Sequence, residues 1–103
     1  MSVEYTREMG DYLGRTYELT VRAAPSLNRV SDFAVVLHYE LDETQVQIAR
    51  IDSSHSQVHF DRLYRRDRPK GLLDVDVWEA AELLESNWRR YARSYERAHG
   101  GSE

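Results

Sequence analysis

Cysteine is missing from all 103 residues, which excludes a disulfide framework, a thiolate zinc site and a cysteine nucleophile. Proline occurs only twice and glycine five times, too few for a linker-rich or low-complexity chain. No apolar run approaches the roughly 20 residues a membrane helix needs, and the first residues do not join a basic stretch to an apolar block. A soluble cytoplasmic protein, with no membrane association, is the expectation. No glycine-rich phosphate loop, serine nucleophile motif, helix-turn-helix or RNP-type aromatic strand is present.

What remains is the composition of one folded domain: 41% hydrophobic and 31% charged residues, enough apolar surface for a single core. The net charge of −4 does not favour nucleic acid, but its distribution is uneven. Residues 1–49 carry four basic and eight acidic groups, and residues 50–103 carry ten of each. Arg62, Arg65, Arg66, Arg68 and Lys70 form one basic cluster, and Arg89, Arg90, Arg93 and Arg97 another, with an acidic block between them. All but one of the 14 basic residues are arginine, whose planar fork suits phosphate and carboxylate.

Hydropathy patterning predicts an α+β domain: a mostly antiparallel sheet of about four strands over residues 15–65 and a long helix over 76–99, packed across one face. Residues 1–14 are the least readable. Tyr5, Met9 and Tyr12 have the spacing of a short helix face, which Gly10 and Gly14 weaken. Tyr17, Leu19, Val21 and Ala23 alternate with polar residues as a strand with one wet face, ended by Pro25. A turn at 26–31 follows, with Asn28 its natural turn residue.

Asp32 to Leu41 is apolar on both faces and is expected to be central. After the turn Asp42-Glu43-Thr44, Gln45 to Asp52 returns as its antiparallel partner. A loop of two or four residues turns Val46 and Ile48 to the Phe33 side; one of three turns Gln47 and Ala49 there. The first alternative packs better. Ser53 to Ser56 is read as a turn, Gln57 to Tyr64 as a third hairpin strand and Arg66 to Leu73 as a loop.

Trp78, Ala81, Leu84, Trp88, Tyr91, Tyr95 and Ala98 recur at three- and four-residue intervals, the stripe of an amphipathic helix. Asp76 and Glu79 match a capping box, and Glu85 and Arg89 an i,i+4 ion pair. So long a helix is expected to overhang the sheet at its far end, near Tyr95.

The stretch 46–70 holds the residues suited to chemistry. His55 and His59 cross from a turn into a strand, so their spacing of four does not call for a metal, and no cofactor is expected. Taken singly, each histidine has a structural reading: His55 in a turn, His59 on an exposed strand position, His38 half-buried. Together, His55 and His59 with Arg50 or Arg62 supply the base, acid and cation that metal-independent RNA cleavage requires, and Asp52 can orient a histidine. Arg62, Arg65, Arg66, Arg68 and Lys70 are candidate RNA contacts, and Tyr39 and Tyr64 candidate base-stacking rings.

In these residues the sequence resembles the TumE-type toxin family of prokaryotic toxin–antitoxin systems and its archaeal and bacterial relatives. The matching pieces are His38-Tyr39, Arg50-Ile51-Asp52-Ser53 with His55, and His59, within residues 33–64. Where that family's turn carries adjacent histidines, this chain has His55 followed by Ser56, and the aromatic helix after Val75 has no counterpart. The resemblance implies a toxin–antitoxin setting, with a small antitoxin protein as partner and a cellular RNA or nucleotide as target; the ribonuclease chemistry is the expectation drawn from the histidines and arginines. The alternative expectation is a non-enzymatic interaction domain, a homodimer or partner-binding module using the aromatic helix.

Overall fold

The computed structural model describes residues 3–25, 30–54, 57–62, 71–73 and 75–99. These form one antiparallel sheet and one helix, an α+β architecture: β1 (Val3–Tyr12), β2 (Arg15–Pro25), β3 (Val30–Leu41), β4 (Thr44–Ser54), β5 (Gln57–Arg62), β6 (Gly71–Leu73) and α1 (Val77–His99). The strands lie side by side in chain order, with β3 and β4 at the centre. The described residues thus hold six strands where about four are expected. One addition is β6, three residues long, within the stretch read as a loop; the other is β1.

The helical spacing of Tyr5, Met9 and Tyr12 has a different origin. Thr6 faces Thr20 and Glu8 faces Glu18, but beyond a bulge Gly10 faces Tyr17. The extra residue shifts the alternation by one, so all three side chains pack on the same side, against the core, from a strand. The β1–β2 hairpin closes through Leu13 and Gly14, both at positive φ, which a two-residue turn compatible with strand twist requires. Pro25 ends β2 as expected; Asn28 and the turn around it lie outside the described residues.

A second bulge settles the register of the central hairpin. Asp42 and Glu43, both at positive φ, make a two-residue loop, and Leu41 faces Thr44. Val46 is then opposite Tyr39 and packs on the core, as the preferred register requires. Strict alternation past Ile48 would turn Arg50 and Asp52 under the helix. Instead the register slips between Leu37 and His38, so Ala49 faces Leu37 and Ile51 faces Val35. Ile48, Ala49 and Ile51 are all fully buried. Arg50 and Asp52 emerge on the opposite face.

The core lies between one sheet face and α1. It is built from Tyr17, Leu19 and Val21, from Phe33, Val35, Leu37 and Tyr39, and from the β4 residues just named, capped by Val77, Ala80, Leu84, Tyr91 and Ala92. The capping box forms: the Asp76 amide donates to Glu79 Oε1 at 3.0 Å and the Glu79 amide to Asp76 Oδ1 at 2.8 Å. The stripe is rotated from its expected position. Trp78 is 50% exposed and Ala98 is exposed, while Val77, Ala80 and Ala92 take the buried places, small residues that let helix and sheet approach closely. Glu85 reaches Arg7 on β1 at 2.8 Å, whereas Arg89, its expected partner, lies over the Tyr12 ring.

The far end of α1 does not overhang at Tyr95. Its ring meets Tyr39 edge-on at 6.0 Å, and Arg15 Nη1 donates to the Tyr39 hydroxyl at 3.0 Å and to Glu96. Burial, and then the hydrogen bond to Tyr95, push the Tyr39 hydroxyl up to about 12, and burial raises that of Tyr17 further.

Candidate functional site on the open sheet face

No described element covers the second face of the sheet. On β3 it carries Ala34, Val36 and His38, all buried although no described helix lies over them. The pairing places two rows of residues there. Glu4, Arg22, Ala34, Asp52 and His59 face one another in succession from β1 to β5, and Thr6, Thr20, Val36 and Arg50 form the row beside them.

Three of the four candidate catalytic residues therefore share one face. Arg50 Nη2 is 3.2 Å from Asp52 Oδ2, both half-buried, and His59 stands directly across from Asp52 on the neighbouring strand. Arg50 Nε and His59 Nδ1 are buried and have no hydrogen-bond partner among the described residues. Buried polar groups of this kind are costly when unpaired, and the Tyr17 hydroxyl and His38 Nδ1 share that state elsewhere in the fold. His55, the fourth candidate, lies outside the described residues.

Arg62 is not brought to this face. It pairs in register with Ala49 on the helix side, its guanidinium 4.9 Å above the Phe60 ring. Tyr39 is 3% exposed within the core, which removes it as a base-stacking surface. Tyr64, Arg65, Arg66, Arg68 and Lys70 lie outside the described residues.

The geometry adds residues that the sequence reading passed over. Arg22 and Arg50 line two adjoining cavities, with Ala34 in the floor of both. One, about 200 Å³, is edged by Asp32, Asp52 and Ser53; the other, about 150 Å³, by Thr20, Gln45, Gln47 and Glu4. Arg22 makes no ion pair with a described residue. Its only sequence signal is its place on the wet face of an alternating strand, which says nothing of Arg50 until the β2–β3–β4 register is known.

His38 closes one end of this face. Its Nε2 lies 2.7 Å from the Thr20 hydroxyl, which in turn meets Thr6 at 2.8 Å, and its Nδ1 is 4.0 Å from Glu18. Burial drives its pKa below the ordinary histidine value, against the smaller opposing pull of Glu18 and Glu40. It is a neutral, structural imidazole. Among the described residues no three His, Asp or Glu side chains gather closely enough to hold a metal ion.

Fold and site together define a small meander-sheet domain, one face sealed by a helix and the other bearing a groove of mixed charge. The chain belongs to the DUF7718 family, a domain of unknown function whose family model matches residues 2–101. No curated protein and no solved structure matches it. None of its described helices is long and apolar enough to cross a membrane.

Proposed function

We propose that this is a toxin-like protein that acts on RNA through the open sheet face. The observation that carries the reading is the convergence of Arg50, Asp52 and His59 on that face, beside an Arg22 that makes no ion pair among the described residues. In the reaction, a histidine takes the proton of a ribose 2′-hydroxyl as its oxygen attacks phosphorus. The P–O5′ bond breaks, and a second protonated histidine gives its proton to the departing 5′ oxygen, leaving a 2′,3′-cyclic phosphate. His59 and His55 fill these two roles, Arg50 offsets the charge that builds on the phosphorane oxygens, and Asp52 holds Arg50 in place. A small antitoxin covering the groove would complete the setting implied by the resemblance to TumE-type toxins.

Induced expression should slow growth, and purified protein should cleave RNA to cyclic-phosphate ends. His59→Ala and His55→Ala should each abolish both effects while leaving the circular dichroism spectrum unchanged. Harmless wild type, or toxicity that survives both substitutions, overturns the reading.

A second reading, a non-enzymatic domain that self-associates through α1, is favoured by Trp78. It stands half-exposed beside Tyr5 and Arg7 at a shallow cavity of about 470 Å³. Trp88, Tyr91 and Tyr95 pack towards the sheet, so an interface on this helix would centre on Trp78. Sedimentation of wild type beside Trp78→Ala separates the two readings, since the catalytic one requires no change of mass.

A further inference from the structure

The groove is divided by chemistry. Arg22 and Arg50 stand on the strands flanking β3 in adjoining rows, so their Cα atoms are roughly 12 Å apart at the usual strand spacing and rise. Between them β3 offers only the methyl of Ala34 and the short side chain of Val36. Two arginines lining the same cavities suit an anion with several oxygens, because each fork presents paired N–H donors in a plane. On one side the lining continues into the hydroxyl and amides of Thr20, Gln45 and Gln47, with the single carboxylate of Glu4 across from Arg22. On the other side it becomes acidic, with Asp32 exposed and free of any ion pair among the described residues and Asp52 held by Arg50.

A plain anion would gain from the arginines and lose to the acids. A ligand carrying both a phosphate and a donor-rich group matches the whole groove. We propose that the groove is a nucleotide site, with the phosphate held between Arg22 and Arg50 and the Watson–Crick edge of the base turned to the carboxylate of Asp32. This rests on the reading of the open face as RNA-acting, and it names the base that face selects. Guanine offers two adjacent donors, N1–H and N2–H, to the two oxygens of one carboxylate. Uracil offers a single N3–H between two carbonyl oxygens, which the carboxylate repels. The expected order therefore has guanine first and uracil last, and single-stranded RNA exposes these edges for readout.

Isothermal titration of the full chain with GMP, UMP, guanosine and inorganic phosphate tests this. GMP should bind at least about tenfold more tightly than UMP, the discrimination one bidentate pair supplies. Arg22→Ala should weaken GMP and UMP alike and leave guanosine unchanged. Asp32→Asn should keep phosphate binding and erase the preference for GMP. Equal affinity of GMP and UMP for wild type, no binding of either, or GMP binding indifferent to Arg22→Ala overturns the proposal. Nucleotide binding with the expected order but no RNA cleavage counts against the proposed activity alone. Cleavage without base preference in the titration counts against this inference alone.

Discussion

Gly10 and Trp88 meet as notch and wedge: a Cβ built on Gly10 would lie 2.9 Å from Trp88 Cζ2. The β1 bulge makes the notch by bringing Gly10 opposite Tyr17, whose ring lies 5.5 Å from that of Trp88. The indole is thus held between a bare stretch of backbone and an aromatic face, and it fastens the outer strand to the helix.

The space at Gly10 is therefore already filled. Gly10→Ala should cost about 1–3 kcal/mol, because the added methyl displaces a ring that is itself packed and sits on backbone at φ +157°, which side chains rarely adopt. Trp88→Ala should cost about 3–5 kcal/mol through lost burial and the cavity left behind. In the double variant the costs should sum to less than the two singles, since the methyl no longer meets the indole. Urea unfolding of the four proteins measures this. A Gly10→Ala protein as stable as wild type would show that the ring has room to move.

Tyr95 is part of the monomer's packing, by its edge-on contact with Tyr39 and a hydroxyl-to-hydroxyl separation of 3.4 Å. Tyr95→Ala should lower unfolding stability by about 2 kcal/mol, less than a fully buried aromatic because the side chain is only partly covered. The loss should be the same at every protein concentration. A loss that grows on dilution would instead place Tyr95 in an interface between copies of the chain.

His38 makes the fold sensitive to acid. Its folded pKa is depressed by burial, so the unfolded chain takes up a proton first as pH falls. Stability is present above the ordinary value of 6.5 and is lost as pH drops below it towards the folded value. The charges of Glu18 and Glu40 reduce the effect, and the Thr20 hydroxyl, itself bonded to Thr6, meets the ring at Nε2. Denaturant midpoints measured between pH 4 and pH 8 should fall on the acid side for wild type. His38→Gln should flatten that dependence, and an unchanged slope would assign it to other groups.

Much of the architecture was legible in the chain itself. The alternation of Tyr17, Leu19, Val21 and Ala23, the two apolar faces of β3 and the Asp76–Glu79 box follow from side chains acting within a turn or two of their own backbone. Periodicity failed where a bulge adds one residue. That single insertion gave Tyr5, Met9 and Tyr12 a helical spacing, and at Ile48 it sent Arg50 and Asp52 to the open face rather than under the helix. Bulges are settled by packing across strands, so local pattern carries no trace of them. The helix stripe was misjudged by a fraction of a turn for a related reason: Val77, Ala80 and Ala92 are buried by how closely α1 can approach β3, a matter of fit between distant residues. The candidate site divides along the same line. His59, Arg50 and Asp52 could be named from residue type, but Arg22 and Asp32 join them only because strand register places β2, β3 and β4 side by side, joining residues 22 to 52 across one groove.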